Sequence, residues 1–161
     1  MPVTPDFVIK LELRCAGLLD AQNGFSDAIR SVDTHWAAMS GVRVGEMYRA
    51  LHKELMTIPP TDLAKTEHDK QLFYAIMHVR YRALLDKGIE MMNRTLALAE
   101  KTNDTSSWVK RAQGMKADME ASLAEEHAQL AKFPFTEKEV EEALEIMKKK
   151  AEKAQQQAAK K

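Results

Sequence analysis

Apolar residues recur three and four positions apart along most of this chain, the spacing that lays a single stripe on an α-helix. Leu11, Cys15, Leu18 and Leu19 form the first stripe, entered at Pro5-Asp6 and stopped at Asn23-Gly24. A second helix is expected over 25–39, with Ala28, Ile29, Val32 and Trp36 on one face. Ser40-Gly41 weakens the pattern, yet Val44, Met47, Tyr48, Leu51 and Leu55 carry it on to 58. The stretch therefore reads either as one kinked helix or as two. Pro59-Pro60 ends it, because proline has no amide to donate and pushes the residue before it out of the α region. The segment PPTDLAKTEHDK is the longest predicted loop.

Large apolar residues then crowd a helix over 70–87, among them Leu72, Phe73, Ile76, Met77, Tyr81, Leu84 and Leu85. Gly88 divides it from, or kinks it into, a shorter one over 89–101. Asn103-Asp104 marks a turn, and a long helix over 106–132 follows, closed by Phe133-Pro134. Thr136 and Glu139 have the spacing of a capping box, in which each side chain serves the other's free backbone amide. Glutamates crowd the start of that last helix and Lys148, Lys149 and Lys150 come later, as the helix dipole prefers. Nothing reads as a strand. The expected fold is all-α: antiparallel helical hairpins, in an α-solenoid or an irregular bundle of about six or seven helices. The hairpin region would occupy 1–135, and a charged C-terminal helix with a tail rich in Lys, Ala and Gln would occupy 136–161.

Composition narrows the function classes. The 161 residues are 45% apolar and 30% charged, an ordinary globular balance for one domain. Lys and Arg total 24 and Asp and Glu total 24. A net charge of zero disfavours a dedicated nucleic-acid binder, which needs surplus cations for phosphates. Cys15 is the only cysteine, so no intramolecular disulfide framework forms, and its place on an apolar stripe predicts a small buried hydrophobe. No stretch approaches the roughly 20 apolar residues that span a bilayer. The N-terminus lacks a basic region ahead of an apolar run, so a cytoplasmic protein is expected by default, or an exported fragment without its signal.

Chemistry-bearing motifs are missing from the sequence. None of His35, His52, His68, His78 and His127 forms H-x-x-x-H, H-E-x-x-H or E-x-x-H, the spacings that put two ligands on one helix face. In Glu67-His68 and Glu126-His127 the side chains point about 100° apart on a helix. There is no G-x-S-x-G elbow and no glycine-rich phosphate loop. The acids fall mainly between apolar positions and read as a solvated face. No catalytic, cofactor-binding or metal-binding residue is expected, and no cofactor.

Three features invite a partner. The run His78-Val79-Arg80-Tyr81-Arg82 is the most polar part of a strongly apolar helix. On one reading Tyr81 packs inside while Arg80 and Arg82 extend past it to water. On the other the cluster is a basic, aromatic face for an acidic peptide, since arginine offers forked donors to carboxylates. Met91 and Met92 are adjacent, so both cannot face one narrow seam, and an exposed methionine makes an adaptable contact. Val140, Leu144, Met147, Ala151 and Ala154 keep heptad spacing on the last helix. That helix either docks at its start and runs on into solvent, or meets a partner or a second copy in a homo-oligomer.

Tyr74 and Trp108 lie 34 residues apart, and Tyr81 and Ala97 fall between them at set distances. Asn103-Asp104 precedes Trp108 as a connecting turn. In this the region resembles the tetratricopeptide repeats, antiparallel helix pairs of about 34 residues. Residues 17–24, GLLDAQNG, followed by Ala28-Ile29, are similar to the centre of such a repeat. The sequence departs from the family at His78, where a small residue belongs, at Glu90 between helices, and at Arg94, where an aromatic is usual. From Ala112 onward only small residues fit, so the likeness covers about half the chain. It implies a superhelical protein-binding scaffold without catalysis.

The expected function is a non-catalytic protein–protein interaction scaffold or adaptor. Its groove would be formed by Tyr74, His78, Arg80, Tyr81, Arg82, Met91, Met92 and Trp108. The alternatives are an obligate structural subunit of a larger complex, and a helical enzyme or metal-binding bundle without recognisable motifs.

Overall fold

Capping side chains set where three of the helices begin. The computed structural model describes residues 5–30, 33–60 and 64–158, and its elements are α1 (Pro5–Arg30), α2 (Thr34–Met56), α3 (Glu67–Thr102), α4 (Ser107–Leu130) and α5 (Glu137–Ala158). The Asp33 carboxylate accepts the amides of His35 at 3.0 Å and Trp36 at 3.3 Å, satisfying two of the free donors at the start of α2. Thr66 and Asp69 form a reciprocal box on α3, and Thr136 and Glu139 form the expected one on α5. Asn103 takes the left-handed conformation at φ 52° and lets its own amide and that of Asp104 close the last carbonyls of α3.

The described residues form five helices, not six or seven, and no strand. The expected break at Asn23-Gly24 does not occur, nor does the division that was one of two readings at Gly88. Asn23-Gly24 lies inside α1, and α3 runs unbroken through Gly88 for 36 residues, about 54 Å at 1.5 Å per residue. The question left open over 25–58 also has an answer. Phe25 belongs to the end of α1, while α2 passes straight through Ser40-Gly41 as one helix.

Packing explains why Gly41, Gly45 and Gly88 do not break their helices. A Cβ on Gly88 would stand 2.5 Å from Met119 Sδ, and one on Gly45 would stand 2.5 Å from Met92 Cε. On Gly41 it would collide with the Thr95 side chain. Each of these glycines is a place where a neighbouring helix comes close. The helix-propensity cost of about 1 kcal/mol is offset by methionine and threonine contacts that no larger residue would allow.

Helices α2, α3 and α4 pack against one another, α1 lies on α2, and α5 lies on α3. Val42, Val44, Leu85, Met92 and Met119 are the fully buried centre. A smaller cluster joins Ala75, Ile76 and Val79 of α3 to Val140 of α5, bordered by Leu130, Phe133, Phe135 and Leu144. Val140 and Leu144 of the heptad seam therefore meet α3. The side chains of Met147, Ala151 and Ala154, like those of Ala28, Ile29 and Val32, lie outside the described part of the structure, as do 61–63 of the long loop.

Two expectations about burial are corrected. Cys15 is exposed, because α1 packs on one side only: Leu18 is buried and Leu11 partly so, while Cys15 sits beyond the edge of that contact. Trp36 is 52% exposed, with the His35 ring edge-on to it. Its amide is engaged by the Asp33 cap, which places it in the first turn of α2, ahead of the buried run from Ala37.

Candidate functional site

The apolar stripe of α4 runs through Ala112, Met115 and Met119, and one polar residue continues it: Glu126, seven positions beyond Met119. The same register on α2, through Val44, Tyr48, Leu51 and Leu55, also buries His52. Helical periodicity thus drives an acid and an imidazole into the junction of α2, α3 and α4, where His78 of α3 joins them.

His78 Nδ1 donates a hydrogen bond to Glu126 Oε2. His52 Nε2 lies 3.3 Å from Glu126 Oε1 but out of line for a hydrogen bond, and it has no hydrogen-bond partner among the described residues. Only 8% of the His52 side chain is exposed. Burial pushes the Glu126 carboxyl up, and the hydrogen bond from His78 together with the nearness of both imidazoles more than reverses that and holds it down to about 2. The acid is therefore a carboxylate throughout the physiological range. Phe133 lies beside the His78 ring at 5.9 Å and shields it from the α5 side.

This triad floors a cleft of about 500 Å³ between α2, α3 and α4. Its walls carry Met56, Ile58, Tyr74 and Met77 as apolar surface and Arg49, Lys53 and Glu125 as charges. Arg49 pairs with Asp118 at 3.1 Å. Lys53 and Glu125 have no ion pair among the described residues, although both border the same cleft. A second cleft of about 590 Å³ adjoins the first along the α2–α4 seam and shares Arg49 and Lys53 with it. It continues past Ala50, Gly114 and Met115 to Glu46 and Arg111. Beyond its end the Trp108 ring is covered by the guanidiniums of Arg43 at 5.5 Å and Arg111 at 5.4 Å, and Glu46 ties both arginines together.

The residues expected to form a groove are distributed unevenly over this geometry. Tyr74 and His78 line the first cleft. Trp108 stands beside the far end of the second, through Arg111. Arg80 leans over Tyr81, and Arg82 is paired with Glu137 of α5, so neither guanidinium borders a cleft. Burial raises the hydroxyl pKa of Tyr81, whose ring packs against the main core. Met91 and Met92 are both buried: the core of α3 is wide, with α2 on one side and α4 on the other, so adjacent positions can both face it.

Glu126, His52, Lys53 and Arg49 were absent from the expected groove. Glu126 was detectable as the one acid in phase with the α4 stripe, and His52 as the imidazole one turn after Tyr48. Pairing each histidine only with its sequence neighbours hid an acid that sits between two histidines from other helices. Among the described residues no group of three His, Cys, Asp or Glu side chains is placed to hold a metal ion. No described helix is long and apolar enough to cross a membrane. Comparison with known family models, curated proteins and solved structures found no match to this chain.

Proposed function

We propose that the chain is a non-catalytic protein–protein interaction scaffold, an adaptor that holds a segment of its partner in the groove between α2 and α4. The observation that carries this reading is the joining of the two clefts at Arg49 and Lys53 into one trough with mixed lining. Apolar walls give area, and a few fixed polar groups give orientation, the combination that recognition sites use. The trough spans 46–56 of α2, about 15 Å, enough for a short extended or helical segment. The tetratricopeptide likeness agrees with a scaffold role, but the reading does not need a repeat architecture.

Capture from source lysate tests it, with the full chain, Tyr74→Ala/Arg49→Ala and a chain ended after Met147 as baits. Tyr74 and Arg49 line the first cleft, and their loss removes wall without opening the core. The expected result is one partner, retained at high salt and by the shortened chain, and lost with the double change. Capture that follows the lysine tail and disappears with salt would overturn the groove reading.

A second reading has its own observation. Ile9, Leu13 and Leu19 of α1 are more than half exposed, on the side turned away from α2. Such a face suits an obligate subunit that buries α1 in a larger assembly. Concentration-dependent self-association of the purified chain, relieved by Ile9→Lys/Leu13→Lys, would favour it.

A further inference from the structure

Helix α1 presents to solvent a face whose two halves match each other. Counted at 100° per residue, Ile9, Leu13, Gly17, Asp20 and Gly24 fall within an arc of about 80°. Leu11, Leu18 and Phe25, which pack on the core, lie on the opposite side. Ile9 is 55% exposed and Leu13 69%. Gly17 and Gly24 are exposed too, and a Cβ on either would meet nothing within 4 Å. At Gly41, Gly45 and Gly88 a side chain of a neighbouring helix fills the space a Cβ would take. On α1 nothing in the chain fills it, so Gly17 and Gly24 weaken their helix with no packing in return. Residues i, i+3, i+4 and i+7 of a helix form the hole that receives a side chain from a partner helix. Gly17, Asp20, Ala21 and Gly24 make a wide hole of this kind, and Leu13, Ala16, Gly17 and Asp20 make a second.

We propose that two copies of this chain pair through α1, antiparallel, with Ile9 and Leu13 of each copy seated in the glycine-lined holes of the other. A twofold axis level with residue 15 brings Ile9 over the hole at Gly17 and Gly24, and Leu13 over the hole at Gly17, and repeats both contacts by symmetry. The same register sets Lys10 opposite Asp20 of the second copy, and Asp20 has no ion pair among the described residues. A parallel copy would set apolar side chain against apolar side chain, hole against hole, and Asp20 against Asp20. An unrelated partner has no reason to require large residues in the first half of this face and gaps in the second. The contact runs over 9–21 of each helix, about 18 Å, a short contact that favours a reversible monomer–dimer equilibrium. This inference rests on the α1 face being buried in an assembly, as in the second reading above, and it names the occupant.

Sedimentation equilibrium of the full chain over a range of concentrations tests the pairing. The unaltered chain should pass from monomer to dimer and no further, because a twofold contact closes on itself. Gly17→Leu adds apolar surface but fills the seat of Leu13, so it should weaken the dimer about tenfold while the circular-dichroism helix signal is kept. Lys10→Asp and Asp20→Lys set like charges opposite each other, so each should weaken the dimer about threefold to tenfold, and the two together should restore it. A chain that stays monomeric, a dimer that Gly17→Leu tightens, or charge changes that add instead of cancelling overturns the proposal. Ile9→Lys/Leu13→Lys separates this failure from that of the reading beneath it. Self-association relieved by that pair, yet unmoved by Gly17→Leu and by the charge changes, keeps α1 as an assembly face and overturns the twofold pairing.

Discussion

Helix α2 meets its two neighbours in opposite ways. Against α3 it presents Gly41 and Gly45, and Thr95 and Met92 fill the space a Cβ would take, so the two helices come close and water is shut out. Against α4 the contact starts in the same style, with Met115 over Gly45, but then gives way to Glu46, Arg49 and Lys53 facing Arg111, Asp118 and Glu125. Charged side chains hold the second seam open as a trough, and the ion pairs across it are exposed and individually worth only about 0–1 kcal/mol. One seam is closed by packing and the other is left open to solvent. The glycines mark the difference, since a Cβ on Gly114 of α4, which borders the trough, would meet nothing within 4 Å.

Substitutions can break this contrast, and the largest effect belongs to the closed seam. Met92→Ala empties the space between Gly45 and α3 and should lower unfolding free energy by about 2–5 kcal/mol in a denaturant titration. Gly41→Ala drives a Cβ into the stiff Thr95 side chain and should destabilise by about 1–3 kcal/mol. Gly114→Ala, by contrast, should raise stability by up to about 1 kcal/mol, because it removes backbone freedom from the unfolded chain without meeting any neighbour. If Gly41→Ala and Gly114→Ala gave equal melting shifts, the two seams would not differ as described.

A smaller effect sharpens the contrast at the open seam. The Glu126 carboxyl is held at about 2, below its ordinary value of 4.5. A group depressed in the folded state stabilises fully above its unfolded value, and that contribution is lost as pH falls from 4.5 toward 2. Melting temperature should therefore decline through this window, and Glu126→Gln should flatten the part of the decline that the triad supplies. An unchanged acid limb in that variant would mean that the two imidazoles do not stabilise the carboxylate.

Helix content was legible in the sequence because the 3.6-residue stripe is strong, and the ends at Pro59-Pro60, Asn103-Asp104 and Thr136 follow from local chemistry. The end placed at Asn23-Gly24 does not occur although a Cβ on Gly24 would meet nothing within 4 Å, and the division that was one of two readings at Gly88 gives way to a tertiary contact. At Gly88, glycine is a close-contact position against Met119, a fact that no local rule carries. The true break before α2 had a local signal in Asp33, an N-cap followed by a helical run. Burial of Met91 and Met92 depended on α3 being covered from two sides, which the sequence does not state. The site was half legible. Tyr74 and His78 were chosen and do line the cleft, while Glu126 was read as one more solvated acid because its partners lie 74 and 48 residues away, in His52 and His78.

The central claim is that the α2–α4 trough is the surface that meets a partner, and site-specific photo-crosslinking tests it most directly. A photoreactive amino acid would replace Ala50, on the trough wall, and in a second chain Ala83, an exposed residue of α3 that borders neither cleft. A partner seated in the trough should give a discrete adduct from position 50 in source lysate, competed by excess unmodified chain, and none from position 83. Adducts from position 83 alone, or from neither position, would contradict it.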